Sequence, residues 1–197
     1  MTATAHPPQA IIEDYVAGSL GRGMALAVAG HLSLCLPCRE RTARLASLCG
    51  ALFATCEDPV RPSADCLANV LARLDRPERP PVPILAPVLP SPLCDCLAAP
   101  RGLAWRPAGP GISRCRIEGF APDEVGLVRA DPGATVPLHG HAGPEATLVL
   151  EGGLIDGGRT YRRGDIAFCD ETVEHSPAAA PGAACLYLVV ATAAAAG

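Results

Sequence analysis

The sequence of 197 residues contains no lysine, and arginine supplies all sixteen of its basic residues. Aromatic residues make up only 4% of the chain, so its cores must be built mainly from Leu, Val and Ala. No apolar run reaches the roughly 18 residues that a membrane-spanning helix needs. Residues 1–6 lack the basic start and apolar segment of a secretion signal. The formal net charge of -4 also argues against direct binding to nucleic acid, whose phosphates attract basic surfaces. We therefore expect a soluble, cytoplasmic protein.

Cysteine is abundant by contrast, with ten residues, while histidine occurs five times. A chain of this length needs no disulfides to hold its fold, and the sequence carries no secretion signal. Reduced, metal-bound or redox-sensing thiols are therefore expected.

The segment His31-Leu-Ser-Leu-Cys35-Leu-Pro-Cys38 has the spacing of metal ligands on one helical face. Pro37 is tolerated at the start of a helix and disfavoured inside one. We therefore expect one helix to end near Cys35 and another to begin at Pro37. Cys38 would then lie at a helix N-terminus, where the helix dipole lowers the pKa of a thiol. Two thiolates and an imidazole form a zinc-type set that lacks a fourth ligand. His6, the one histidine outside a spaced motif, is the predicted fourth.

Residues 1–76 are predicted to form a small all-α bundle of about four helices. Apolar residues recur at helical spacing in four segments, and Ser19 and Ser63 are predicted to cap the second and fourth helices. A bundle of this size buries little core, which suits support by a metal. The fourth helix, with Leu67, Val70, Leu71 and Leu74 on one side, is expected to dock on another protein.

Residues 77–92 are rich in proline and are predicted to be an extended linker between two domains. Residues 93–197 change to period-two patterns typical of a β-sandwich or barrel. Short strands are predicted at residues 115–119, 125–128, 147–150, 166–168 and 185–190. The Asp156-Gly157-Gly158 sequence predicts a hairpin turn.

A second candidate metal site falls within this β-region. His139 and His141 are two residues apart, so both would point to one face of a strand. Glu145 follows after a turn, and His175 can arrive from a later strand. Three imidazoles and a carboxylate can hold zinc, manganese, iron or nickel.

These motifs resemble two known families. The stretch from Gly133 to Gly152 is similar to the first cupin motif, and Gly164 to His175 has the spacing of the second, although Asp170 and Thr172 replace its usual Pro and Gly. The segment with His6, His31, Cys35 and Cys38 is similar to the zinc-binding anti-sigma domain. Together, the two domains in this order resemble ChrR-type anti-sigma factors over nearly the whole chain.

The resemblance implies a regulator rather than an enzyme. It implies that the N-terminal domain, held by zinc, binds a group IV (extracytoplasmic-function) sigma factor in a one-to-one complex. It further implies that the C-terminal cupin is needed for release of the sigma factor in response to singlet oxygen or organic hydroperoxide.

Two alternatives remain open from the residues themselves. The second cluster would also suit a metal-dependent cupin enzyme, a dioxygenase or isomerase with a helical accessory domain, in which Glu145 could act as a base. Cys35-Leu-Pro-Cys38 could be a thioredoxin-like redox pair, although no strand pattern precedes it.

Overall fold

The computed structural model describes residues 3–55, 61–74, 89–97 and 103–193. Within these ranges an α-helical part precedes a β part, which confirms the predicted fold class. The helices are α1 (Gln9–Ala17), α2 (Arg22–Leu34), α3 (Leu36–Phe53), α4 (Cys66–Leu74) and α5 (Ser91–Leu97). We call α1 to α4 with the segment before α1 the helical unit, and the strands that follow the β-domain.

The strands of the β-domain form two antiparallel sheets. Their bounds are β1 (Arg106–Gly109), β2 (Ile112–Ile117), β3 (Glu124–Ala130), β4 (Glu145–Glu151), β5 (Gly153–Asp156), β6 (Arg159–Arg162), β7 (Ile166–Cys169), β8 (Ala178–Ala179) and β9 (Cys185–Ala191). The larger sheet has the order β1-β2-β3-β9-β4-β7, and the smaller has the order β6-β5-β8. All five predicted strands overlap an observed strand, and the predicted hairpin joins β5 to β6.

Local sequence explains most helix boundaries. Pro8 precedes α1 as its N-cap, and Gly18 ends it in the left-handed conformation at φ 72°. Cys35 is extended and closes α2 while opening α3, with Pro37 in the first turn, as predicted. The prediction that Ser19 caps α2 was wrong, because α2 begins after Gly21 and the Ser19 hydroxyl instead donates to the Asp14 carbonyl.

Helix α2 packs directly on the larger sheet, so the two parts share one apolar core. Two glycines seven residues apart on α2 allow the close approach. A Cβ at Gly23 would lie 2.9 Å from methyl groups of Val125 and Val190, and one at Gly30 would lie 2.7 Å from Leu148. Since a real Cβ does not come this close, the sequence keeps this helix face bare.

The larger sheet is covered on both sides. Strand β9 shows this best, because its alternate residues enter two different cores. Leu186 and Leu188 face the helices, whereas Cys185 and Tyr187 face the smaller sheet. This explains why β9 is a continuous apolar run instead of an alternating one.

Residues 77–88 of the predicted linker lie outside the described residues. At its C-terminal end, Leu89 is buried and α5 begins at Ser91, inside the stretch predicted to be extended. Pro92 fits this helix because a proline is tolerated in the first turn. Leu93 is fully buried and packs close to α2 at Gly30.

Helix α4 and the C-terminal half of α3 present apolar side chains to solvent. None of the residues of α4 is buried. The large exposed apolar residues of these helices form what we call the apolar face: Leu48, Leu52, Phe53, Leu67, Val70, Leu71 and Leu74. This exposure is consistent with the prediction that the fourth helix docks on another protein rather than on its own bundle. Among the described helices, none has the length and apolar character required to cross a membrane.

Two candidate metal sites

The first cluster, which we call the helical site, lies where α2 meets α3. His6 comes from the segment before α1, His31 from the last turn of α2, Cys35 from the junction and Cys38 from the first turn of α3. The predicted four residues are brought together, with their ligand atoms all within 4.8 Å of one another. His31, Cys35 and Cys38 are buried, while His6 is exposed.

The distances in the helical site suit a tetrahedral zinc ion. His6 Nδ1 lies 3.5 Å from Cys35 Sγ and 3.4 Å from Cys38 Sγ. Tetrahedral bonds of about 2.3 Å to sulfur and 2.05 Å to nitrogen would separate those atoms by about 3.6 Å. His31 Nε2 is buried and has no hydrogen-bond partner, which is costly unless a ligand binds there. The residues therefore fit a metal held by four protein ligands.

The expectation of a lowered thiol pKa at Cys38 was wrong for the metal-free protein. Burial and the neighbouring Cys35 raise the pKa of Cys38 to about 11, outweighing the lowering effect of Arg41. Burial also lowers the pKa of His31, which favours the neutral ring that a metal requires. Metal binding must consequently displace a proton from Cys38.

Residues of the β-domain accept hydrogen bonds from the helical site and from the segment next to it. The sequence did not reveal these contacts. His31 Nδ1 lies 2.7 Å from the Gly164 carbonyl oxygen, so this nitrogen carries the proton and donates. The next residue, Asp165, accepts hydrogen bonds from the backbone N–H groups of Thr4 and Ala5, next to His6. Both contacts span more than 130 residues, beyond the reach of any local pattern.

The second cluster, which we call the β-domain site, joins His139, His141, Glu145 and His175. Glu145 is the first residue of β4. The prediction that His139 and His141 lie on a regular strand was wrong: His139 forms an isolated bridge with His175, and His141 is in a loop. The turns at 137–143 curve the chain so that both imidazoles still reach Glu145.

The ligand atoms of the β-domain site converge closely. His141 Nε2 is 2.9 Å from His175 Nε2, and the carboxylate of Glu145 lies 3.4 Å from His141 Nδ1 and 3.6 Å from His175 Nε2. His139 Nδ1 donates to the Pro137 carbonyl, which leaves its Nε2 as the lone-pair nitrogen. The pKa of His141 is lowered by burial, partly offset by Glu145. Facing imidazole nitrogens beside a buried carboxylate fit a divalent metal.

Asp156 is a functional candidate that the sequence analysis treated only as part of a turn. Its Oδ2 lies 2.8 Å from His175 Nδ1 and accepts a hydrogen bond from the N–H of that ring nitrogen. A carboxylate that holds the outer nitrogen of a ligand histidine fixes the other nitrogen toward the metal. The hairpin signal was visible in the sequence, but its side-chain contact with a residue 19 positions away was not.

The β-domain site opens into a cavity of about 260 Å³ beside the larger sheet. His139, His141 and Glu145 line one end. The remaining wall carries the polar residues Arg114, Glu124, Thr147 and Tyr187. Its apolar residues include Ile112, Val128, Val136 and Val189. A small molecule could therefore reach this cluster, whereas three of the four residues of the helical site are buried.

Comparison with known proteins covers both parts of the chain. Residues 95–195 match the family model described as the ChrR Cupin-like domain. The chain is 36% identical to the anti-sigma-E factor ChrR of Cereibacter sphaeroides over 191 residues, which is 95% of this chain and 89% of that protein. It also superposes on the anti-sigma ChrR in the crystal structure of Rhodobacter sphaeroides SigE in complex with ChrR. That match has a TM-score of 0.78 and 34% identity, over 97% of this chain and 100% of the other.

Proposed function

Because the chain belongs to the family of ChrR anti-sigma factors, we propose that it binds one group IV sigma factor and withholds it from RNA polymerase. Its role is regulatory rather than enzymatic. This regulatory role argues against the alternative of a metal-dependent cupin enzyme. The redox-pair alternative also loses support, because Cys35 and Cys38 lie beside two histidines and no strand precedes them in the described part of the chain.

The apolar face is the observation that carries this proposal. Phe53 is 79% exposed, Leu74 is 74% exposed and Leu52 is 71% exposed. Large apolar side chains exposed along two helices are typical of a protein-binding site. The solved complex of SigE with ChrR supports a sigma factor as the occupant.

Substitutions on the apolar face test the proposal. In cells that co-express the chain with the sigma factor encoded beside it, we expect a stable one-to-one complex of the wild-type protein. Leu48→Asp combined with Leu71→Asp should weaken that complex at least 100-fold, because two charges would be buried without partners. Leu138→Asp provides the matched control, since Leu138 is 66% exposed but lies in the β-domain. Equal binding by the double variant and the control would overturn the proposal.

For the helical site we propose zinc as the bound metal and His6, His31, Cys35 and Cys38 as its ligands. Two thiolates with two imidazoles are a ligand set typical of structural zinc. Such a metal would hold the segment before α1 against the junction of α2 and α3, in the shape that presents the apolar face. Metal analysis of the purified protein, repeated after alanine replacement of Cys35 and Cys38, should find one equivalent of zinc lost.

For the β-domain site we propose a divalent metal, zinc or alternatively manganese, iron or nickel, held by His139, His141, Glu145 and His175. We propose further that this domain is required for release of the sigma factor in response to singlet oxygen or organic hydroperoxide. The protein would act in the cytoplasm, where RNA polymerase works. The open cavity beside the cluster supports access by a small oxidant.

Release is testable on the purified complex. Illumination with a photosensitiser that generates singlet oxygen should dissociate the wild-type complex, and the variant with His139→Ala and His141→Ala should resist. Dissociation of both complexes at the same rate would contradict a role for the β-domain site. Sigma-factor binding before illumination serves as the internal control, because both proteins keep the apolar face.

A further inference from the structure

We propose that the β-domain completes the helical site: Gly164 and Asp165, in the turn between β6 and β7, act as its outer-shell positioning residues. Through this turn the β4–β7 ladder joins the helical site to the β-domain site. The inference rests on the proposed function for its regulatory meaning, since it supplies a route from the domain that senses to the unit that binds.

Asp165 is a buried carboxylate whose partners are mostly backbone donors. Its side chain is 2% exposed, and Oδ1 accepts from Thr4 N at 2.5 Å and Ala5 N at 2.8 Å. Oδ2 accepts from Arg162 N at 2.7 Å. One carboxylate thereby holds both the segment before α1 and the end of β6. In that first segment, His6 follows Ala5 directly. The position of a candidate ligand is thus set by a side chain of the other domain.

Further contacts fix the same segment. The Ala5 carbonyl accepts from Ile166 N at 3.3 Å, and the Thr4 carbonyl accepts from the Arg159 guanidinium at 3.0 Å. Residues 4 and 5 therefore lie along the β6–β7 turn, where the chain bends. Together with the packing of Ala3 against Ile12 and Val28, these contacts with the β-domain fix where His6 is placed.

Gly164 performs the equivalent task for His31. Its carbonyl holds Nδ1–H of His31, which fixes the tautomer and directs the lone pair of Nε2 toward the thiols. Nε2 is the buried atom without a hydrogen-bond partner. Adjacent residues of one turn thus orient two of the four candidate ligands, His6 and His31.

The turn continues into the ladder that carries the β-domain site. Gly164 N donates to the Val149 carbonyl, and Val149 N donates to the Asp165 carbonyl. Strand β7 then pairs with β4 from Leu148 opposite Ile166 to Glu145 opposite Cys169. Glu145 belongs to the β-domain site, and Cys169 Sγ lies 3.8 Å from His175 Nδ1. Strand β7 has four residues, which span about 13 Å, and it links the β6–β7 turn to the β-domain site.

Cobalt(II) bound by thiolates gives a charge-transfer absorption band, which Cys35 and Cys38 supply at the helical site. The four candidate ligands of the β-domain site include no cysteine, but Cys169 lies close enough to Asp156 and His175 to share a metal with them. The titrations therefore use the full-length metal-free protein with Cys169→Ala as the background, so that the band measures affinity at the helical site. Asp165→Asn should lower that affinity 10- to 100-fold, the usual effect of losing an outer-shell partner.

Asp170→Asn is the matched control, because Asp170 is an exposed carboxylate just beyond the other end of β7 and bonds within its own turn. It should leave the cobalt affinity within twofold of wild type. An unchanged affinity in folded Asp165→Asn protein would overturn the proposal. Sigma-factor binding is not measured in this titration, so failure of the proposed function would not be confused with failure here.

A second pair of variants covers the case in which Asp165→Asn does not fold. Thr4→Pro removes the backbone N–H that donates a hydrogen bond to Asp165. Thr4→Ala removes only the hydroxyl, whose contacts with the same carboxylate are 3.3 Å long. The proline variant should weaken cobalt binding at least fivefold relative to the alanine variant. Equal affinities would contradict the role of the β6–β7 turn.

The connection between the sites is tested by the same absorption band. Zinc in the β-domain site should change the rate at which a chelator removes cobalt from the helical site. The variant with His139→Ala and His141→Ala should lack that effect, and Asp165→Asn should lack it too. A removal rate that is independent of zinc in the wild-type protein would overturn the proposed route.

Discussion

The helical site and the β-domain site combine histidine with different ligand groups and hold the outer ring nitrogens with different partners. In the helical site two imidazoles join two thiols, three of the four residues are buried, and the outer partner of His31 is a backbone carbonyl. In the β-domain site three imidazoles join a carboxylate, the outer partner of His175 is the Asp156 side chain, and a cavity lies alongside. A closed set of four protein ligands is typical of a structural metal. An accessible set beside a cavity suits a site that meets small molecules.

Replacing the two thiols of the helical site should have the largest effect of the changes considered for the two sites. Cys35→Ser with Cys38→Ser is expected to abolish metal binding in the helical site and to weaken the sigma-factor complex more than 100-fold, because the metal contributes folding free energy to a small unit. His139→Ala with His141→Ala should leave the complex intact. Size-exclusion chromatography with light scattering measures both. Loss of the complex in the histidine variant instead would show that the two sites are not divided between binding and sensing.

Asp156→Asn sharpens the contrast between outer partners. The amide cannot hold His175 Nδ1–H as a carboxylate does, so metal affinity of the β-domain site should fall 10- to 100-fold. Competition with a chromophoric chelator measures this affinity, and sigma-factor binding should not change. Asp131→Asn, on an exposed turn of the same domain, is the control and should behave as wild type.

The two sites should also differ in their pH dependence. Since the pKa of Cys38 is raised to about 11, its thiol is protonated at neutral pH and must lose a proton to bind metal. Metal affinity of the helical site should therefore rise about tenfold per pH unit from pH 7 to 9 for each proton released. The lowered pKa of His141 means that this ligand is already neutral at pH 7, so the β-domain site should gain little over that interval. Parallel curves would contradict the assignment of ligands.

The smallest expected effect concerns the core that joins the two regions. Gly30→Ala should lower the free energy of unfolding by about 1–3 kcal/mol, because the new Cβ would meet Leu148 at 2.7 Å. In α3, Gly50 has nothing within 4 Å, so Gly50→Ala should stabilise by about 1 kcal/mol through helix propensity alone. Denaturation with urea measures both. Equal shifts would show that α2 does not need its bare face.

The sequence predicts ligands better than it predicts what holds them. His31, Cys35 and Cys38 fall within eight residues across the junction of α2 and α3, so the local chain is enough to bring them together. The outer partners Gly164 and Asp165 act across more than 130 residues, and only the packing of α2 on the sheet brings them near. Ser19 shows that local patterns can also mislead. It is a good capping residue, but its hydroxyl donates to a carbonyl of α1, and Gly21 is the N-cap of α2.

A protein that displays the apolar face depends on the amount of its partner in the cell. Seven large apolar side chains on α3 and α4 stand in solvent, and such surfaces favour self-association when nothing covers them. Under the proposed function, copies made in excess of the sigma factor would be the first to aggregate or to be degraded. Balanced synthesis of the two proteins would then protect the solubility of this chain as well as control transcription.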